Sequence, residues 1–334
     1  MIAYEINVTH RAISKRIFKI MTGKNMRTND ILCIGGINID WATISPENYY
    51  PVDSFSFVFT PAVGGVIYNV ASNLTDLEHD IHLISAVGDD PHHEMILKAL
   101  HEKKIARQNI LTRKGEQTAS IVFMIGNNGE LLHHIERTQI YERFTPYDLK
   151  PLQAEMEASK TWIIDTDLSA DTLSYIAHRV PETSKLFGVI STPEKADRIV
   201  SILAHFEGLF LNLDELNCLT KCTINTKAEI LAASDWLREQ GITYVFITLG
   251  PDGVCVNTPE YKGIMPALTA DVQDTQGAGD AFASTVIDAF TRGNYSMVDI
   301  VSRGLAASSL AVEVKKRTNG MLSHALINER MQNI

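Results

Sequence analysis

From residue 31 onward, short apolar runs alternate with amphipathic stretches that carry apolar residues at helical spacing. Each run is long enough for one buried strand and too short for a buried helix. Continuous apolar strands are typical of a parallel sheet that helices cover on both faces. The alternation therefore predicts an α/β domain in which a central, mostly parallel sheet lies between two helical layers. The strand-like runs are residues 31–36, 82–88, 161–167, 186–190, 208–212 and 244–250.

A second kind of segment has no neighbouring helical stretch to cover it. Residues 55–59, 119–125 and 130–135 read as extended, partly exposed strands. We expect a small sheet that stands out from the main domain, with strands near 53–60 and 117–136. Such a sheet is suited to act as a lid over a substrate. Its exposed strand edges also favour an edge-paired homodimer.

Residues 1–28 form a basic segment that differs from the rest of the chain. Apolar residues at helical spacing predict one short amphipathic helix there, accompanied by Arg11, Lys15, Arg16, Lys19, Lys24 and Arg27. The segment is similar to the recognition helix of a helix-turn-helix, but the helices that would position it in a DNA groove are missing. It is either a solvated helix that packs on the body or a partner, or the remnant of a longer regulator. We assign residues 1–28 to an appendage and residues 30–327 to one globular domain.

Charge and hydropathy exclude several classes of partner. The formal net charge is −10, and such a surface repels the phosphate backbone of nucleic acids. No apolar run approaches the roughly 20 residues that a membrane-spanning helix needs. The N-terminus lacks the apolar stretch of a secretory signal, and the cysteines are scattered as free thiols would be. We therefore expect a cytoplasmic protein that binds no membrane and has no general role in binding nucleic acid, although a local basic patch stays compatible with this charge.

Residues 274–280, which read DTQGAGD, carry the most information about chemistry, and an amphipathic helical stretch follows them. Gly277, Ala278 and Gly279 let the backbone approach a ligand closely, and N–H groups at a helix start can bind phosphate oxygens. An acidic side chain on the same turn would repel phosphate, so Asp280 suggests another role. A carboxylate near both phosphate and acceptor can take a hydroxyl proton. The spacing alone leaves open that Asp280 is merely a first-turn acid favoured by the helix dipole.

DTQGAGD is similar to the DTxGAGD signature of the ribokinase, or pfkB-type, family of carbohydrate and nucleoside kinases. Residues 64–74, GGVIYNVASNL, resemble the first signature of that family. The resemblance spans residues 30 to about 327 and includes residues 34–40, 86–90, 212–215 and 248–253. It implies a ribokinase-like fold with a small β-sheet lid, and in-line transfer of the γ-phosphoryl group of ATP to a primary hydroxyl in the presence of Mg²⁺. Asp280 would be the catalytic base, and Gly277, Ala278 and Gly279 would stabilise developing charge.

The resemblance also implies roles for individual residues. Those that would bind the acceptor are Asn38, Asp40, Gly65, Asn69 and, on the lid, Thr118. Those that would bind ATP are Asn212, Thr248, Gly250, Gly253 and Thr275. Glu215 would organise Mg²⁺ through water, and Asp274 would support a monovalent cation such as K⁺. Considered without the resemblance, these residues are a strand end, helix caps, turn residues or solvated acids.

Within the family, the chain is most similar to pseudouridine kinases, through residues 59–74, 117–135 and 302–314. Pseudouridine is therefore the predicted acceptor. Ile67 and Tyr68 depart from the family pattern and would add bulk beside the pocket. Residues 189–195, VISTPEK, stand where pseudouridine kinases usually read VDPVS, so the aspartate of that pattern is missing. Leu211 stands where a lysine-proline pair is common. Arg137 would either favour an anionic acceptor such as a sugar phosphate or face water.

Two alternatives stay open. The first is another kinase of the family that acts on ribose, adenosine or a sugar phosphate. The second is a kinase-derived ligand sensor whose basic N-terminal helix contacts DNA or a regulator. An intact Asp280 favours an enzyme, because a binding protein needs no proton acceptor there. A dinucleotide dehydrogenase is disfavoured, because residues 35–40 do not continue as a G-x-G-x-x-G turn that opens a helix.

Overall fold

The structure, a computed structural model, describes residues 31–44, 60–125, 131–293, 295–314 and 322–332. The basic helix expected within residues 1–28 lies outside these ranges, as does nearly all of the strand expected at 53–60. The strands in the described ranges are β1 (Ile31–Ile34), β2 (Asn38–Ile44), β3 (Thr60–Gly64), β4 (Ile81–Gly88), β5 (Ile110–Arg113), β6 (Ser120–Ile125), β7 (Leu131–Arg137), β8 (Thr161–Asp165), β9 (Lys185–Val189), β10 (Gly208–Asn212), β11 (Tyr244–Thr248), β12 (Val254–Asn257) and β13 (Lys262–Met265).

Nine strands form the main sheet, in the order β13-β12-β11-β10-β9-β8-β1-β4-β5. The strands from β11 to β5 in this order run parallel, while β12 and β13 extend one edge with antiparallel pairing. Successive residues of β1 alternate between two hydrophobic clusters: Leu32 lies in one and Cys33 in the other. Because successive side chains of a strand point to opposite faces, the main sheet has a core on each face.

Helices cover both faces of the main sheet. Its helices are α1 (Val66–Asp76), α2 (His92–Glu102), α3 (Gln139–Glu142), α4 (Pro146–Leu149), α5 (Gln153–Met156), α6 (Ala170–Ala177), α7 (Leu213–Thr220), α8 (Lys227–Glu239), α9 (Ala278–Arg292), α10 (Met297–Val312) and α11 (His324–Gln332), with 3₁₀ helices at Lys150–Leu152, Pro193–His205 and Gly250–Asp252. Apolar residues of α1, α2, α9 and α10 fill one core, and those of α6, α7 and α8 fill the other. The predicted three-layer α/β/α fold is confirmed.

None of the helices in the described ranges combines the length and apolar character that crossing a membrane requires. The cysteines are free thiols, of which Cys33 and Cys255 are buried while Cys218 and Cys222 are exposed.

A second, four-stranded sheet has the order β3-β2-β6-β7, and we call it the lid sheet. Strands β6 and β7 coincide with the exposed strands expected from the sequence. Strand β2 was not expected there, because the sequence suggested that Asn38 and Asp40 simply follow the first buried strand. The chain instead leaves β1, enters the lid sheet as β2 and returns through β3 to start α1. Asn38 and Asp40 therefore belong to the lid sheet.

Candidate active site

A cavity of about 420 Å³ lies between the lid sheet, the carboxyl ends of β8 to β11 and the first turn of α9. In parallel α/β sheets, ligands bind outside the carboxyl ends of the strands, because loops and helix starts converge there. Most of the residues singled out from the sequence line this cavity. They are Asn38, Asp40, Gly65, Asn69, Asn212, Glu215, Thr248, Gly277, Gly279 and Asp280.

Asp280 lies in the first turn of α9 and is almost fully buried. Its Oδ2 accepts a hydrogen bond of 2.7 Å from Nδ2 of Asn69, which is in the first turn of α1. Burial raises the pKa of Asp280 to about 6, although the bond from Asn69 opposes the shift. A carboxylate with a pKa near neutrality is suited to general base catalysis at physiological pH. The geometry therefore supports Asp280 as a proton acceptor.

The glycine turn before α9 lies against the cavity, which Gly277 and Gly279 line. Gly277 is the N-cap of α9 with φ 79°, a left-handed conformation that favours glycine. A Cβ atom built on Gly277 or Gly279 would meet nothing within 4 Å, so the space beside this turn is open. The first N–H groups of a helix lack partners within that helix, and the helix dipole is positive there. Ala278 and Thr275 complete the turn without lining the cavity.

Glu215 is held rigidly at the start of α7. Its carboxylate accepts bonds from the backbone N–H and the side-chain amide of Asn212, at 2.7 and 2.9 Å, while Asn212 caps the N–H of Glu215. Burial raises the pKa of Glu215 to about 8, and the negative charges of Asp280 and Asp214 add to the shift. A cation would relieve this unfavourable negative charge. A divalent ion that prefers oxygen ligands therefore suits the cavity beside Glu215.

The remaining residues expected to bind ATP or a cation lie in the turn between β11 and β12 and just before α9. Thr248 ends β11 and lines the cavity, whereas Gly250 and Gly253 form the turn that leads from β11 to β12 and do not line it. Gly253 has φ 100°, and a Cβ atom there would lie 1.9 Å from the carbonyl oxygen of Met265. The geometry of the turn therefore explains why this position is a glycine, without a contact with ATP. Asp274 accepts a bond of 2.9 Å from the N–H of Gln276, and burial raises its pKa.

The end of the cavity that is expected to bind the acceptor, which we call the acceptor end, is built from the lid sheet. Nδ2 of Asn38 donates a short hydrogen bond to Oδ1 of Asp40, and both side chains are buried. Gly65, with φ 104°, comes so close to this pair that a Cβ atom would lie 2.7 Å from Oδ1 of Asn38. Strand pairing places Asp40 beside Ile121 of β6, and Ile121 beside Glu136 of β7. These three residues line the cavity.

Thr118 does not line the cavity. Its hydroxyl is buried, donates to Asp90 at 2.8 Å and accepts from the N–H of Gly88 at 3.0 Å. Arg137 is exposed, donates to Gln117 and to the carbonyl oxygen of Thr118, and does not line the cavity. Of the two readings of Arg137, the structure favours the one in which it faces water.

The expectation that Ile67 and Tyr68 add bulk beside the pocket is wrong. Both side chains are buried in the hydrophobic core beneath α1. Because the helix turns by about 100° per residue, Gly65 and Asn69 face the cavity while these two side chains point toward the core. Leu211, by contrast, lines the cavity.

Several lining residues were not found from the sequence. They are Glu136, Asp167, Ser191, Thr192 and Glu194. Asp167 carried a usable signal, because it follows the buried strand β8 at the end where ligands bind. Residues 189–195 were noticed only as a departure from relatives, yet residues 189–194 form one wall of the cavity. Glu136 could not be found without knowing the pairing register of the lid sheet.

The charge of the cavity is strongly one-sided. Six carboxylates line it: Asp40, Glu136, Asp167, Glu194, Glu215 and Asp280. The described residues that line the cavity include no lysine, arginine or histidine. Such a cavity repels anionic groups, except where backbone N–H groups or a bound cation compensate.

Comparison with known proteins places this arrangement in a family. The profile described as "pfkB family carbohydrate kinase" matches residues 28–324. The pseudouridine kinase of Escherichia coli K12 is 25% identical over 312 residues, which cover 92% of this chain and 98% of that protein. The uncharacterized sugar kinase YeiI of the same organism is 25% identical over 296 residues, covering 88% of this chain and 80% of that protein.

Solved structures share the fold. The ribokinase of Giardia lamblia superposes with a TM-score of 0.79 at 17% identity, covering 92% of this chain and 99% of that one. Arabidopsis thaliana ribokinase, solved in complex with ribose and ATP, superposes with a TM-score of 0.76 at 19% identity, covering 91% of this chain and 98% of that one.

Proposed function

Because the chain belongs to the pfkB family of carbohydrate kinases, we propose that it transfers the γ-phosphoryl group of ATP to a primary hydroxyl of an uncharged nucleoside or sugar. Pseudouridine is the acceptor that we place first. The single observation that carries the reaction is the position of Asp280, a buried carboxylate with a raised pKa beside a helix start that opens onto the same cavity.

The reaction requires a proton acceptor and a site for developing phosphate charge, and α9 supplies both. Asp280 would take the proton of the attacking hydroxyl, while Asn69 holds its carboxylate in place. The N–H groups at the start of α9 would stabilise the equatorial oxygens of the transferring group. Both groups are fixed before the substrates bind, so little reorganisation is needed during transfer. No covalent enzyme intermediate is required.

A divalent cation fits the charge of this cavity. ATP carries its own negative charge into a space lined by six carboxylates. Mg²⁺ would neutralise charge on the phosphates, and Glu215 would hold it through water. The capping contacts with Asn212 fix the Glu215 carboxylate, which then needs no rearrangement to receive the cation. A monovalent cation near Asp274 remains part of the proposal.

The charge also bears on the acceptor. Asp40, Glu136, Asp167 and Glu194 line the lid side of the cavity and its neighbouring wall, and the described lining residues offer no cation to bind a second phosphate. Carboxylates accept hydrogen bonds from hydroxyls and from N–H groups. Pseudouridine supplies both kinds of donor, on its ribose and on its base. Similarity to the E. coli pseudouridine kinase over nearly its full length supports the same choice.

The experiment that tests this function measures ADP release from ATP and Mg²⁺ with pseudouridine, uridine, adenosine, ribose or fructose 6-phosphate. We expect turnover with a neutral acceptor, pseudouridine first, and none with fructose 6-phosphate. Asp280→Asn should lower kcat about 10²- to 10⁴-fold and leave nucleotide binding intact. Efficient turnover of fructose 6-phosphate would overturn the neutral acceptor. Ligand binding without turnover by the wild-type protein would instead support a ligand-sensing regulator.

A further inference from the structure

Lys195 is a buried lysine at the start of the 3₁₀ helix Pro193–His205, directly behind the acceptor end of the cavity. Only 5% of its surface is exposed. Its Nζ lies 3.0 Å from Oδ1 of Asp167, which follows β8 in the main domain. The same Nζ lies 3.1 Å from Oε2 of Glu136, which is on strand β7 of the lid sheet. One ammonium group therefore joins the lid sheet to the main domain.

The charge of Lys195 is maintained by these two carboxylates. Burial alone would lower the pKa of this lysine, but Asp167 and Glu136 outweigh burial and raise it. A buried ion pair is no more stabilising than well-packed apolar side chains of similar volume. Stability alone therefore does not explain why a lysine stands here, and a role for the two carboxylates it binds needs to be considered.

Both carboxylates that bind Lys195 also line the cavity. Oδ1 of Asp167 accepts bonds from Lys195 and from the hydroxyl of Ser191, at 3.0 and 3.1 Å. With Oδ1 engaged in this way, Oδ2 is the oxygen suited to accept a bond from an acceptor hydroxyl. Glu136 lies in the same row of the lid sheet as Asp40, with Ile121 between them. Because the strands of the lid sheet are hydrogen-bonded to one another, a contact that holds Glu136 also helps to hold the strand that carries Asp40.

We propose that Lys195 is a positioning residue for acceptor binding, which orients Asp167 and holds the lid strand of Glu136 against the main domain so that both carboxylates face the acceptor. Lys195 does not itself contact the acceptor or the phosphates. The inference rests on the proposed kinase function, because it needs an acceptor that binds between the lid sheet and β8. It predicts an effect on acceptor affinity and not on the chemical step.

The test is steady-state kinetics on the full chain with the acceptor and ATP varied separately. In Lys195→Met, two carboxylates lose their shared cation, and we expect the acceptor KM to rise at least about tenfold, with kcat and the KM for ATP within about threefold of wild type. Lys195→Arg retains a cation that can donate to both carboxylates and should recover most of the acceptor affinity. Lys185→Met is the matched control: its amine pairs with Glu207 at 2.6 Å on the exposed surface, and no kinetic change is expected.

If Lys195 acts by bridging Glu136 and Asp167, the effects of changing Lys195 and Glu136 should be coupled. Glu136→Gln removes the negative charge of the lid partner while the pair between Lys195 and Asp167 stays intact. If the bridge couples the two residues, the rise in acceptor KM of the double variant Lys195→Met with Glu136→Gln should be several-fold smaller than the product of the two single effects. Effects that multiply would overturn bridging. Glu136→Gln also serves if Lys195→Met fails to fold, and an unchanged acceptor KM in that variant would overturn the proposal.

The two proposals fail in different ways. If the wild-type protein phosphorylates none of the acceptors, the proposed function fails before Lys195 is tested. If the wild-type protein is active and Lys195→Met has an unchanged acceptor KM, the function stands and the role of Lys195 is wrong. A loss of kcat with unchanged acceptor KM would also overturn the positioning role, because it would place Lys195 in the chemical step.

Discussion

The side-chain amide of Asn69 donates a 2.7 Å hydrogen bond to the carboxylate of Asp280, although 211 positions of sequence separate the two residues. The bond joins the first turn of α1 to the first turn of α9, so the two helices meet at the cavity. It favours the ionised form of Asp280 and thereby opposes the effect of burial on its pKa. The same bond sets the rotamer of the carboxylate that is proposed to act as base.

The pH dependence of turnover follows from this pair. Asp280 must be ionised to accept a proton, and its pKa is about 6, so kcat should fall as the pH drops below about 6. Asn69→Ala removes the bond that lowers this pKa, and the acid limb of the profile should move to higher pH. The measurement is kcat against pH at saturating ATP and acceptor. Superimposable acid limbs in the wild type and the variant would contradict the assigned role of the bond.

Asp280→Asn should separate activity from stability. Burial raises the pKa of Asp280 from 3.8 to about 6, so its contribution to stability is present at low pH and is lost as the pH rises through 6. At pH 8 the variant should be more stable than the wild type, by up to about 3 kcal/mol, and its kcat should fall about 10²- to 10⁴-fold. Urea denaturation at pH 8 and pH 4 checks the sign, because the gain should vanish at the lower pH.

Gly65→Ala should damage the acceptor site. Gly65 has φ 104°, and a Cβ atom would lie 2.4 Å from the carbonyl oxygen of Gly36. We expect a loss of more than about 2 kcal/mol in unfolding free energy, together with a higher acceptor KM. Gly115→Ala is the control, because Gly115 also has a positive φ of 76° but its Cβ would meet nothing within 4 Å. Backbone strain alone should cost that variant about 1 kcal/mol. Equal losses would show that the close contact at Gly65 does not matter.

Glu215→Gln should change the Mg²⁺ requirement without unfolding the protein. A glutamine can still accept the bond from the N–H of Asn212, so the cap of α7 survives. The charge that holds the cation is lost, and the Mg²⁺ concentration for half-maximal activity should rise about tenfold. Chelation of Mg²⁺ should abolish turnover in both proteins. An unchanged Mg²⁺ titration, with an unchanged melting temperature, would remove Glu215 from the proposed cation site.

Asp288→Asn should destabilise the protein far from the cavity. Asp288 is fully buried in α9 and accepts bonds from His79 and Arg292, at 2.8 and 2.6 Å. Burial disfavours its charge, but these bonds prevail and lower its pKa, so the stabilisation is present above pH 3.8 and is lost as the pH falls further. At pH 7 the variant should lose about 2–4 kcal/mol. In denaturation measurements at decreasing pH, the unfolding free energies of the wild type and the variant should converge.

The matched control for Asp288 is Glu102→Gln. Glu102 pairs with Lys98 at 3.8 Å on the exposed face of α2. Such surface pairs contribute little, and the change should stay within about 0.5 kcal/mol. A similar loss in both variants would contradict the importance of burial at Asp288.

The main sheet and the glycine turn could be predicted because their signals are local. Strands buried on both faces read as apolar runs, and β1 and β8 are buried along their whole length. Residues 274–280 carry the turn, the helix start and Asp280 within one short segment. Neither inference required knowledge of which segments pair in space.

The acceptor end could not be predicted in the same way. Asp40 and Glu136 lie in one row of the lid sheet, with Ile121 between them, because β6 pairs with β2 on one side and β7 on the other. Sequence patterns do not specify this register. Lys195 is a charged residue that is buried only because tertiary structure places two carboxylates beside it. Thr118 was predicted to bind the acceptor, but its hydroxyl bonds to Asp90 and Gly88. Sequence alternation shows that a residue is polar but does not show whether it faces a ligand or a neighbouring loop.

The path of the chain through the lid sheet places two groups of cavity residues in distant parts of the sequence. Asn38, Asp40 and Gly65 all lie on one excursion between β1 and α1, whereas Asp280 and its glycine turn lie near the other end of the chain. A recombination event that replaces residues 36–64 would therefore exchange part of the proposed acceptor site while leaving the glycine turn at the start of α9 untouched. Under the proposed function, the choice of acceptor and the transfer of phosphate would therefore be encoded in separate parts of the gene.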